Sequence, residues 1–118
     1  MPRFRPLRVD PRMLVDSFEY YEFDGIGEVF AGSDKFKEPV TVKNVKIDYQ
    51  STYTRDTTEA DVRPSAIIFC YTSDTRPFLD FKSRSKVIIN GTEAIIHRVL
   101  PYNEPHRNEL WSIELEVI

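Results

Sequence analysis

The chain has 118 residues, enough for one domain and one modest core but not for two. Apolar residues make up 41% and charged residues 30%, too apolar for general disorder, and no run nears the roughly 18 to 20 apolar residues of a membrane-spanning helix. The formal charge is −3 but uneven: Arg3, Arg5, Arg8 and Arg12 stand against Asp10 in residues 1–13, a net of +3 that leaves −6 on the remainder, which argues against a domain built to grip nucleic-acid phosphates.

Pro2, Pro6 and Pro11 forbid a regular helix at the start, so residues 1–12 read as an extended basic arm and residues 13–118 as the folded domain. The arm alternates Pro and Arg where a secretion signal would be apolar, which points to a protein made in a cytoplasm. Residues 16–23 read as a strand, with Phe18 and Tyr20 on one face and Tyr21 and Phe23 on the other. Asp24-Gly25, Gly27, Gly32-Ser33-Asp34 and Pro39 then punctuate a connection with room for a short strand at 28–30.

In residues 40–49 the inward series Val40, Val42 resumes one residue out of phase at Val45, Ile47, Tyr49, which predicts a β-bulge near Asn44. Residues 50–64 follow, with four Thr, three acids and two Arg and little that is apolar beyond Tyr53 and Val62, and they read as a long loop. Residues 65–72 form a compact apolar run suited to a strand covered on both faces. Cys70, the only cysteine, sits in it as a small buried hydrophobe.

A short segment at 78–81 precedes two runs, 83–89 and 92–100, that flank Asn90-Gly91, a type I′ hairpin turn. Asn90-Gly91-Thr92 also spells a glycosylation acceptor, but without secretion it reads as the turn alone. Val87, Ile89, Ala94 and Ile96 share one side of the hairpin and Ile88 and Ile95 the other. Such a second apolar face suits cover by a neighbouring subunit. After a loop at 101–107, the last strand places Trp111, Ile113, Leu115 and Val117 in the core and Ser112, Glu114 and Glu116 outside. The expected fold is all-β, a small antiparallel barrel or sandwich of about six strands with long loops and an N-terminal arm.

Catalytic chemistry is thinly supplied. His97, His106 and one cysteine give no zinc spacing, and Asp56, Glu59 and Asp61 lack the Gly and closing Glu of a calcium loop. No phosphate-cradling loop or nucleophile elbow is present, so the expectation is a non-enzymatic protein without cofactor or metal. A monomeric OB-like barrel stacking single-stranded bases on its aromatics is the alternative, opposed by acids that offset Lys43, Lys46, Lys82, Arg84 and Lys86. A small enzyme using the acidic loop ranks third.

The order of features resembles a known family. The arm ending Pro11-Arg12-Met13-Leu14, the strand Val40-Thr41-Val42-Lys43-Asn44-Val45, the segment Tyr53-Thr54-Arg55-Asp56-Thr57, the run Ser65-Ala66-Ile67-Ile68-Phe69, the turn Asn90-Gly91 and the ending from Leu110-Trp111 to Ile118 are together similar to the minor capsid proteins of tailed phages and prophages. The Arg-rich first ten residues and Ala94 in the hairpin depart from the pattern.

The resemblance implies a head-completion (stopper) protein of a siphophage, a β-barrel subunit that forms a ring of about twelve copies below the portal and adaptor. Such a ring closes the channel over packaged double-stranded DNA and offers tail or tail-completion proteins a docking surface. Adaptor and tail-completion roles stay open, although adaptors of this kind are mostly helical. The expected location is the head–tail interface of the virion, with assembly in the host cytoplasm and no membrane contact. On that reading Thr52, Tyr53, Arg55, Asp56, Glu59, Asp61 and Arg63 belong to a channel loop that obstructs DNA, and Arg3, Arg5, Arg8, Ile88 and Ile95 attach one subunit to the next.

Overall fold

A computed structural model describes residues 8–26, 34–50, 64–106 and 108–118. A 3-10 turn, Pro11–Met13, comes first, its N-terminus capped by the Asp10 carboxylate, which accepts from the Arg12 amide at 3.0 Å. Eight strands follow: β1 Asp16–Tyr21, β2 Phe23–Ile26, β3 Asp34–Phe36, β4 Val40–Tyr49, β5 Ala66–Tyr71, β6 Lys86–Ile89, β7 Thr92–Asn103 and β8 Leu110–Val117. Six of them close into an antiparallel barrel in the order β1-β4-β5-β8-β7-β6, with β6 returning to β1, and β2 and β3 form a separate pair. The expected small barrel is present. The expected strand at 28–30 lies outside the described residues.

Closure depends on the corner in β4. Asp16 pairs with Val45 and Ser17 with Lys43, so Asn44 is left over as the bulged residue, at φ +63°. An Asn tolerates that left-handed conformation better than most side chains. The Thr75 hydroxyl donates to the Asn44 carbonyl at 2.9 Å, and the Asn44 amide donates to the Asp74 carbonyl at 3.1 Å. The extra residue lets one strand serve two neighbours, β1 through its first half and β5 through its second. It also brings Val42, Val45 and Ile47 into the core despite their broken spacing. Val40 and Tyr49, at the two ends, remain exposed.

The 16–23 strand is interrupted at Glu22, where the chain leaves the barrel to form β2. The Phe23 amide donates to Ser85 Oγ at 2.9 Å, the Lys37 amide donates to the Glu22 carbonyl at 2.9 Å, and the Glu22 carboxylate receives Lys37 at 2.8 Å and Lys82 at 3.4 Å. Those partners come from distant segments, so local alternation carries no trace of the break. The hairpin of β6 and β7 turns through Asn90 at φ +49° and Gly91 at φ +80°, with Ile89 opposite Thr92. Positive φ at both central residues is what a type I′ turn requires.

The core joins Phe18, Tyr20, Val42, Val45, Ile47, Ile68, Cys70, Val87, Ile89, Ile96, Ile113, Leu115 and Val117. Residues 78–81 form no strand, yet Phe81 is buried, with its ring 5.1 Å from Tyr20 in a T-shaped contact and 6.1 Å from Phe18. Burial pushes the Cys70 thiol well above its ordinary pKa. In β5 only Ala66, Ile68 and Cys70 are fully enclosed, whereas Ile67, Phe69 and Tyr71 face outward and are half-buried.

The start of β8 departs from simple alternation. Tyr102 pairs with Ser112 but Asn103 pairs with Leu110, a register shift that consumes Trp111. Ser112 is buried, and Trp111 is half-buried against the Tyr71 ring at 5.4 Å. The expected phase therefore holds for Ile113, Leu115 and Val117, and Ser112 keeps its expected row with Glu114, opposite Tyr71 and Tyr102, although it is buried there; Trp111 is the residue at which the expected core place fails.

Candidate assembly surface

A closed barrel offers no free strand edge, so barrel-to-barrel contact must use side-chain faces, ends or appended segments. One face runs across β1, β6 and β7. Tyr21 pairs with Lys86 and Lys86 with Ile95, and Ile118 exchanges backbone hydrogen bonds with Ile95 at 2.9 and 3.1 Å. Ile95 is 36% exposed and Ile118 46%. In the next row Ile88 lies between Glu19 and Glu93. Lys86 Nζ sits 4.4 Å from the centre of the Tyr21 ring, a cation–π contact that covers the aromatic while keeping the charge near water. The pairing thus brings Ile88 and Ile95 onto one outward surface, small and rimmed by acids.

Arg8, expected to hold a neighbour, pairs within its own chain, its guanidinium donating to Asp74 Oδ1 at 2.7 Å. That hydrogen bond, opposed by burial and aided by Ser73, holds the Asp74 carboxyl below the usual carboxylate range. Arg3 and Arg5 lie outside the described residues, as do Thr52, Tyr53, Arg55, Asp56, Glu59, Asp61 and Arg63.

The roots of the long segment are described. The Gln50 amide donates to the Ser65 carbonyl at 2.9 Å and the Ser65 amide to the Val117 carbonyl at 2.8 Å, so the chain leaves and re-enters the barrel at one point. An apolar recess of about 280 Å³ opens there, lined by Tyr49, Ala66, Ile89, Asn90, Ala94 and Val117. Asn90 Nδ2 donates to the Tyr49 hydroxyl at 2.7 Å across it. Ala94 is a small lining residue of this recess, and a larger side chain there would reduce its volume.

A second face, on β5, β8 and β7, escaped the sequence reading. Glu114 stands between Phe69 and Leu100, and Glu116 between Ile67 and Arg98, which approaches it at 3.6 Å. Glu114 has no cationic partner among the described residues. Burial, and then the charge of Glu116, raise its carboxyl above the ordinary range. The β8 alternation marks Glu114 as outward, but its apolar flanks come from strands distant in sequence.

His97 and His106 are exposed, and no group of three His, Cys, Asp or Glu side chains among the described residues could hold a metal ion. Among those residues no helix is long and apolar enough to cross a membrane. The model of the family described as minor capsid protein matches residues 10–117 of this barrel-forming chain. The chain belongs to the minor capsid protein family. No curated protein and no solved structure matches it. This minor capsid protein is a structural component of a phage particle, and its place is in the virion.

Proposed function

We propose that this minor capsid protein is a head-completion (stopper) subunit, which forms a ring beneath the portal and adaptor, closes the DNA channel and presents a docking surface to the tail. The observation that carries the reading is the family match over residues 10–117 on an all-β closed barrel, since the adaptors of such necks are mostly helical. A rigid barrel whose long polar segment springs from a single point suits a ring subunit that presents one loop to the axis.

Asp56, Glu59 and Asp61 would meet DNA phosphates with repulsion, so the obstruction is mechanical. Arg55 and Arg63 pair with acids of adjacent copies and hold the loops side by side. The contact between copies uses the Ile88 and Ile95 face together with the arm carrying Arg3 and Arg5.

The test replaces residues 52–62 by a short Gly-Ser linker and confirms folding by circular dichroism and presence in the particle by microscopy. DNA retained in tailless heads is then measured. Leakage is expected, and full retention with the protein in place refutes the channel role.

A further inference from the structure

The outer face of β5, β8 and β7 combines features that a lone subunit leaves unmatched. Ile67, Phe69 and Tyr71 form an apolar stripe along β5, Leu100 and Tyr102 flank it from β7, and Glu114 lies between them without a cation among the described residues. A carboxylate on apolar ground attracts a cation strongly, because less water competes for it there.

The residues preceding Arg8 have the complementary chemistry. Arg3 and Arg5 alternate with Pro2, Phe4 and Pro6, so an extended chain offers guanidinium groups beside apolar side chains. Seven residues at about 3.1 Å each reach about 22 Å, and a six-residue strand such as β5 runs about 20 Å. The ion pair of Arg8 with Asp74 fixes where the arm departs, and Asp74 lies just beyond Tyr71, the last residue of β5. The arm therefore leaves the body at one end of this face. A residue before proline favours extended backbone, so the order Arg5-Pro6 suits an arm that projects from its anchor to an adjoining copy rather than one that folds back on its own barrel.

We propose that the outer face of β5, β8 and β7 is the seat for the N-terminal arm of a neighbouring copy, with Glu114 accepting the guanidinium of Arg3 or Arg5. This rests on the ring reading, which places copies side by side. The apolar members of the arm cover Phe69 and Tyr71, and a guanidinium stacks on an aromatic face as it donates to the carboxylate.

The experiment uses the full-length chain in assembled particles with the paired substitutions Arg5→Cys and Glu114→Cys, and separately Arg3→Cys and Phe69→Cys. Cys70 is buried and does not compete. Mild oxidation or a short bismaleimide should give a ladder of covalent multimers on a non-reducing gel. A cross-linked monomer would mean that the arm covers its own subunit, and no cross-link with either pair would mean that the face is not the seat. Either result overturns the proposal.

A charge exchange gives a second readout that does not depend on engineered cysteines. Glu114→Lys should lower incorporation into particles by about tenfold, and adding Arg3→Glu with Arg5→Glu should restore it. Failure to restore, with the protein folded by circular dichroism, also overturns the proposal. Microscopy keeps the two readings apart: a ring without the ladder removes the seat alone, whereas the ladder without a ring removes the stopper and leaves the seat.

Discussion

Replacing Tyr20 by Phe tests the buried polar junction that sends the chain out of the barrel. The ring stays and keeps its T-shaped contact with Phe81, so no cavity opens and only the hydroxyl is lost. That oxygen, in a side chain 1% exposed, accepts from the Lys82 amide at 2.9 Å and from Ser85 Oγ at 3.2 Å, while Ser85 Oγ accepts from the Phe23 amide at 2.9 Å. An orphaned buried donor costs about 1–3 kcal/mol, and the Ser85 proton can rotate toward a poorer acceptor, so about 2 kcal/mol is expected. For a domain of this size that lowers Tm by about 5–10 °C.

Ser85→Ala, which strands the Phe23 amide, should cost about 1–2 kcal/mol. Because the two side chains share one hydrogen bond, the double variant should fall short of the sum by roughly 0.5–1.5 kcal/mol. Urea unfolding followed by circular dichroism and by Trp111 fluorescence measures all three, with an unchanged m-value. A Tyr20→Phe protein within about 0.5 kcal/mol of the parent, or full additivity, would refute the network as described.

Cys70 should resist thiol reagents in the native state and react at a rate set by unfolding, since it has no exposed surface and burial raises its pKa. Fast labelling of folded protein would show that the barrel wall at β5 is open. Glu114→Gln in the isolated subunit should raise stability at pH 7, by under about 1 kcal/mol because solvent screens the site. The folded carboxyl titrates higher than the unfolded one, so its cost to stability grows as pH rises from the ordinary carboxylate range through the raised value, and it vanishes below that range. Parallel urea midpoints from pH 3 to pH 8 check the sign, and a variant less stable at neutral pH would contradict it.

Much of the barrel is legible because its signals are local. Asn90-Gly91 can make one kind of tight turn, and the phase slip between Val42 and Val45 requires an extra residue, which the chain supplies at Asn44. The outward placement of Ile88 and Ile95 follows from alternation within one hairpin. The features that stayed hidden depend on partners far along the chain. Phe81 is core because Phe18 and Tyr20 surround it, the strand ends at Glu22 because Ser85, Lys37 and Lys82 wait there, and Trp111 shifts because β7 pairs out of step with β8. The candidate site divides in the same way. A hairpin shows two isoleucines on one face, but that Glu114 stands between Phe69 and Leu100 is a fact about three strands at once.

Charge placement bears on how copies can meet. The Ile88 and Ile95 face is rimmed by Glu19 and Glu93, and the Phe69 and Leu100 face carries Glu114 and Glu116. A two-fold contact sets a surface against itself and would bring acids without a cation among the described residues, such as Glu114, toward their own copies, where like charges repel, with Lys86 on the first face and Arg98 on the second offsetting part of that cost. A heterologous contact avoids this by setting an acidic face against something basic. Residues 1–13 carry a net +3, while the remainder carries −6. Contacts from arm to acidic face, as proposed above, would be directional, and directional contacts close into a ring where the rotation between copies allows it and otherwise run on as open filaments. A proposed contact of this kind would be small and partly polar, and so would hold weakly between free subunits and gain strength where a symmetric platform concentrates them. An acidic barrel with a basic arm thus suits assembly on an existing particle better than assembly in free solution.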